Sequence, residues 1–331
     1  MVAWRRSGGF PPGTEMIGRL FRRGAPAART VSPAVVDALA TGLISEDLLR
    51  RIERLSLRIR RPLPGGPAGE HLGRGQSTSI EFSDHRPYSP GDDFRRIDWN
   101  AFARLDELTI RVTEAREDVG LYIIVDCSSS MASGDGAKMR LARQLAAGLA
   151  YLALNQLDVV RIYGLGDGMV ARSPRFTGRK QGADVFRLLR NLPVIPATDL
   201  GNAFGAFLTD RPAQGLVVVL SDLLNAGEYR GGLRRIVQAG FEVAVVHVLS
   251  EAELNPKLWG DVELIDSETA EAIKISMTLD TLASYRRDLE AWQQEITAYC
   301  RSIGIRYLHV PAERSLDAIL LGDFRRYGLL E

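Results

Sequence analysis

Asp126, Ser128 and Ser130 stand at positions i, i+2 and i+4 of one short stretch, Asp126-Cys127-Ser128-Ser129-Ser130-Met131. A carboxylate and two hydroxyls are hard oxygen donors, which suit Mg²⁺ or Mn²⁺ and not zinc. Three oxygens from one loop are too few for an octahedral ion, so further ligands must arrive from other loops at the same edge. Two candidates fit. Thr198, in Pro196-Ala197-Thr198-Asp199-Leu200, precedes a helical run, and Asp222 ends the apolar stretch Leu216-Val217-Val218-Val219-Leu220-Ser221.

The elements that must position these residues are readable from periodicity. Residues 120–125 are apolar enough for a buried parallel strand, and residues 138–156 place Met139, Leu141, Ala142, Leu145, Leu149 and Leu152 at helical spacing. Strand, hydroxyl-rich loop and helix follow in order, the place where open α/β sheets bind ligands. The remaining chain repeats the α/β unit. Strands are expected at 159–165, 169–176 (paired back through Gly166-Asp167-Gly168), 215–222, 241–249 and 305–310. Helices are expected at 183–192, 229–239, 279–303 and 315–330, with a small hairpin at 262–265 and 273–277. The face of the long helix would be made by Leu279, Leu282, Leu289, Trp292, Ile296, Tyr299, Cys300 and Ile303.

Upstream, a helix is expected to begin at residue 32 or 37 and run to 60, before a linker broken by Pro62, Pro64, Gly65, Gly66 and Pro67. Alternating strands at 79–82 and 108–112 bracket a segment in which Asp92, Asp93, Arg95, Arg96, Asp98 and Arg104 alternate in sign around Phe94, Ile97 and Trp99. That segment reads either as a partner-docking surface or as an Arg and Asp network pinning a loop. Its aromatic residues call for cover from a neighbouring core.

The set Asp126, Ser128, Ser130, Thr198 and Asp222 resembles the metal-ion-dependent adhesion site (MIDAS) of von Willebrand factor A domains. Residues 86–99, Arg-Pro-Tyr-Ser-Pro-Gly-Asp-Asp-Phe-Arg-Arg-Ile-Asp-Trp, with Ala103-Arg104, resemble the segment ahead of the A-like domain in the bacterial "domain of unknown function 58" family, and residues 260–269 resemble its distal segment. The resemblance covers roughly residues 76 to 311. It implies a Rossmann-like, doubly wound, mostly parallel sheet of order 3-2-1-4-5-6 with the third strand antiparallel, preceded by an N-terminal helix and a small β-containing extension. It also implies that Ser128, Ser130 and Thr198 bind Mg²⁺ or Mn²⁺ directly, while Asp126 and Asp222 act directly or through water. A partner's acidic group would complete the shell. Many relatives are encoded beside MoxR-type AAA+ ATPases, which implies a chaperone-like role with such a motor and a client protein. One departure stands out: Leu223 follows Asp222 where many A domains have Gly.

The implied strand order puts Asp126 beside Asp222. Two carboxylates about 5 Å apart repel by about 3 kcal/mol at an effective dielectric near ~20, and a divalent cation reverses that sign. The expected organisation is a disordered basic arm (1–30), the helix and linker (31–75), the charged extension packed on the core (76–117) and the A-like domain (118–331).

The chain has 331 residues, 45% hydrophobic and 25% charged, with a formal net charge of +1. That allows a large core and supplies no global field for nucleic acid. No run approaches the ~18 apolar residues of a membrane span. Two cysteines, Cys127 and Cys300, form no disulfide framework, so the cytoplasm is the expected compartment. Arg5-Arg6 is followed by no apolar core of the kind an export signal needs.

Two other classes compete with a metal-dependent adaptor. One is a phosphoryl-transfer or hydrolytic enzyme using Asp126, but Ser128 stands where such phosphatases place a second Asp, and no histidine lies near the proposed loops in sequence. Gly134-Asp135-Gly136-Ala137-Lys138 lacks phosphate-loop spacing and reads as a turn before a helix. The other is a metal-free scaffold, in which Ser130 or Ser133 only caps a helix.

Overall fold

The computed structural model describes residues 42–58, 79–89, 97–105, 107–116, 120–156, 158–196, 199–224, 229–265 and 272–331. The first described helix, α1 (Glu46–Ile52), starts where the Ser45 hydroxyl accepts a bond from the Leu48 N–H, and it buries Leu48, Leu49 and Ile52. The expected long helix is therefore much shorter in its described part. Gly42 turns through the left-handed region at φ 66°, Ser45 caps a fresh start, and beyond Ile52 the chain is drawn out so that Leu57 can bridge Leu330.

β1 (Ser79–Pro87) and β2 (Thr109–Arg116) pair antiparallel, with a register shift between Phe82 and Asp84. Between them lies a short helix, α2 (Trp99–Leu105), that the charge pattern did not announce. The Asp98 carboxylate is buried and caps it, accepting from the Ala101 N–H at 3.1 Å. Trp99 is 60% exposed and meets Phe102 edge-on, so the expected cover over this residue is not there.

The central sheet begins with β3 (Gly120–Asp126), buried at every position as its unbroken apolar run requires. After α3 (Ser129–Ala132) and α4 (Ala137–Asn155) come β4 (Val159–Gly166), β5 (Gly168–Arg172), β6 (Phe176–Thr177) and α5 (Gly182–Arg190). Then follow α6 (Leu200–Thr209), β7 (Gly215–Ser221), α7 (Tyr229–Gln238), β8 (Glu242–Leu249), α8 (Glu251–Leu254), the hairpin β9 (Gly260–Ile265) and β10 (Ala272–Met277), α9 (Leu279–Ser302) and β11 (Arg306–Pro311). The strand order is β11-β8-β7-β3-β4-β5, with β6 also on β4; β5 and β6 run antiparallel and the other pairs parallel. This is the expected von Willebrand A-like order, with the third long strand reversed at the edge.

The pleat of β3 divides the core. Leu121, Ile123 and Val125 join α1, α4 and α5 on one face, while Tyr122 and Ile124 join α6, α7 and the end of α9 on the other. α9 is less embedded than its apolar spacing suggests: Ile296 and Cys300 are fully buried, whereas Leu279 points to solvent. The closing segment also departs from a regular helix. Residues Ala318–Asp323 form a wide π-helical turn before one α-turn, and Gly328, at φ 68°, reverses the chain so that Leu329 and Leu330 return to the core. Among the described residues no helix is long and apolar enough to cross a membrane.

Candidate functional site

β3 and β7 are parallel neighbours in register from Gly120 opposite Gly215 to Val125 opposite Leu220, so Asp126 leaves the sheet beside Ser221 and Asp222. The Ser221 hydroxyl donates to Asp126 Oδ2 at 2.5 Å, and Asp126 Oδ1 accepts from the Ser128 N–H at 3.0 Å, which folds the loop back over the strand end. Ser128 Oγ and Ser130 Oγ lie 2.8 Å apart, and the Ser130 hydroxyl also bonds the Asp222 carboxylate. Asp126, Ser128, Ser130 and Asp222 are thus gathered at one buried point.

Helix capping does not account for these serines. Ser128 occupies the N-cap position of α3, yet its side chain makes no capping bond and turns to Ser130 instead. The 2.8 Å separation is within about 0.2 Å of the ~3.0 Å edge of an octahedron with oxygen ligands at about 2.1 Å. Among the described residues no group of three His, Cys, Asp or Glu side chains is placed to hold a metal, so a cation here depends on the hydroxyls. On donor type and spacing, the residues fit a hard divalent ion.

The residues that flank Thr198, Ile195-Pro196 and Asp199, lie along the same edge. Their backbone is tied down by Ile195 N–H to Cys127 O at 2.8 Å, by Ser129 Oγ–H to Pro196 O at 2.8 Å, and by Asp199 N–H to Gly166 O at 2.9 Å. Asp199 then caps α6 through the Asn202 N–H. Thr198 itself lies outside the described residues, as do Asp92, Asp93, Arg95 and Arg96. Of the charged segment, Asp98 is spent on capping α2, and Arg104 is exposed in the last turn of that helix.

The residue that sequence reading missed is Lys138. It sits in the first turn of α4, only 2% exposed, and its ammonium donates to Asp222 Oδ2 at 2.8 Å and to Glu253 Oε1. Burial alone pulls an ammonium down, but Asp222 and Glu253 outweigh it and hold Lys138 above the ordinary lysine value. For Asp222 burial is the larger influence and pushes the carboxyl up; Lys138 opposes this and the charge of Asp126 adds to it.

Two neighbours shape the Asp222 backbone. His247 Nε2–H donates to the Asp222 main-chain oxygen at 2.9 Å, while its Nδ1 accepts from the Tyr307 hydroxyl at 2.6 Å. Burial drives its pKa down to about 3, so it is a neutral core residue. Leu223 adopts φ 51° with its side chain buried, the left-handed geometry that glycine takes without strain. The departure from glycine is thus tolerated, and the local turn is kept. Just beyond, Leu224, Tyr285, Leu289 and Trp292 line a cavity of about 570 Å³. Cys127 and Cys300 are buried thiols; burial pushes Cys127 up to about 12 and Cys300 to about 11, which makes both unreactive.

The family model described as "Protein of unknown function DUF58" matches residues 84–296. Among curated proteins, "Uncharacterized protein Rv1480" of Mycobacterium tuberculosis is 28% identical over 309 residues, covering 90% of this chain and 97% of the relative. "Uncharacterized protein Mb1516" of Mycobacterium bovis aligns with the same figures. Among solved structures, BatB from Bacteroides thetaiotaomicron has a TM-score of 0.39 at 17% identity, covering 62% of this chain and 96% of that one. The SpRpn10 VWA domain has a TM-score of 0.35 at 13% identity, covering 62% and 95%. The strand order, not these loose superpositions, carries the fold assignment. With the family model matched across the charged segment, the β3 loop and the β9 strand, the chain belongs to the DUF58 family and has a von Willebrand A-like fold.

Proposed function

We propose that this protein is a non-enzymatic, metal-dependent interaction adaptor. Asp126, Ser128, Ser130 and Asp222, with Thr198 from the neighbouring loop, hold Mg²⁺ or Mn²⁺, and the ion offers its open position to a carboxylate on a partner. The observation that carries this reading is the 2.8 Å pair of serine hydroxyls set between two buried acids at the carboxyl edge of the sheet. Against an enzyme, both ring nitrogens of His247 are engaged and the ring is held neutral, so it offers no general base. The partner class follows from the family resemblance: a MoxR-type AAA+ ATPase, acting with this protein on a client in the cytoplasm.

One observation favours a second reading, a metal-free scaffold, because Lys138 already brings a positive charge to Asp222. A calorimetric titration against a MoxR-type ATPase separates the two. The adaptor binds in millimolar Mg²⁺, loses affinity on chelation, and is weakened by Thr198→Ala at unchanged melting temperature. Affinity indifferent to chelation and to Thr198→Ala would move recognition to the charged segment, residues 92–104.

A further inference from the structure

We propose that Lys138 is a tethered counter-cation that occupies Asp222 until a divalent ion arrives, and that Glu253 is the acid that keeps the displaced ammonium. The inference rests on the metal-binding reading above and adds its regulation. Three features of the structure support it.

The first is position. Lys138 is the second residue of α4, at the helix end whose exposed N–H groups repel a cation. A lysine there, 2% exposed, is held by the acids it meets among the described residues, Asp222 and Glu253. The second is a division of labour within Glu253. Its Oε2 accepts from the Ser250 N–H at 2.7 Å and the Ser250 hydroxyl at 2.9 Å, closing the capping box of α8, while Oε1 takes Lys138. Glu253 is therefore fixed by its own helix and stays in place whether or not Asp222 is engaged. The third is that Lys138 and the candidate ion draw on the same carboxylate. A dication sharing Asp222 with an ammonium is repelled by it, so the ion binds in full only as Lys138 withdraws to Glu253 alone. Such exchange keeps the buried acids neutralised at every stage and sets the metal affinity lower than the oxygen donors would give.

The test uses Mn²⁺ as probe, with binding read by electron paramagnetic resonance on the full chain and melting temperature followed in parallel. Lys138→Met removes the competitor and should tighten Mn²⁺ binding at least tenfold while lowering the melting temperature of the metal-free protein. Glu253→Gln should act in the opposite direction, weakening Mn²⁺ binding several-fold, because the ammonium loses its alternative acid. Glutamine at that position still closes a capping box, so this variant decides the matter if Lys138→Met fails to fold. Mn²⁺ binding unchanged or weakened in Lys138→Met, or unchanged or tightened in Glu253→Gln, overturns the exchange while leaving the metal site standing. No Mn²⁺ binding by either the parent or Lys138→Met overturns the metal-binding reading and the exchange together.

Discussion

Ser221 Oγ donates to Asp126 Oδ2 at 2.5 Å and accepts from the Leu223 N–H at 2.9 Å, so one hydroxyl ties two parallel strands where their acids leave the sheet. Ser221→Ala deprives a buried carboxylate and a buried amide of that shared partner and should lower the unfolding free energy by about 2 kcal/mol. Urea denaturation measures it. An unchanged midpoint and slope would show that the tie is not needed.

The strained turn after Asp222 gives a reversal of the usual order of substitutions. Leu223→Ala and Leu223→Gly both empty the buried leucine pocket, costing about 2–5 kcal/mol, with glycine leaving one methyl group more of empty volume. At φ 51°, however, glycine escapes a left-handed penalty of about 1–2 kcal/mol that alanine keeps, which outweighs the extra methyl group lost. Leu223→Gly should therefore be the more stable of the two, although glycine is ordinarily the worse choice. Equal or lower stability for Leu223→Gly in thermal melts would deny the strain.

His247 makes the fold acid-sensitive. Its folded pKa is depressed to about 3 by burial, so the unfolded chain takes up a proton below about 6.5 that the native state refuses. Stability should fall as pH drops from about 6.5 toward 4, by about 1.4 kcal/mol per unit from this group alone. Asp222, raised by burial, works with the opposite sign and gains its proton more readily in the native state. His247→Asn should flatten the profile in that window relative to the parent protein. Parallel profiles for the two proteins would remove His247 from the account.

The site acids were legible because a buried parallel strand is an uninterrupted apolar run, and the first polar residue after it, Asp126 or Ser221-Asp222, must sit at the sheet's edge. Lys138 was not. Its partners lie 84 and 115 residues away, and in the sequence it looks like the ordinary polar start of an apolar helix. The available signal was a charge of the wrong sign for a helix N-terminus. The turn at Leu223 was marked only by the family resemblance, which expects Gly there, because a leucine's side chain says nothing of a positive φ. Likewise the apolar residues of 315–330 suggest one helix, while residues 318–323 wind wide and Leu330 turns back to bridge Leu57.

Mn²⁺ binding to the purified protein, titrated alongside Ser128→Ala and Asp126→Asn, tests the central claim most directly. One ion per chain in the parent protein, bound at least tenfold more weakly by each variant, is the predicted result. A parent protein that takes up no Mn²⁺ at millimolar concentration, or variants that bind it undiminished, would contradict the metal-dependent site.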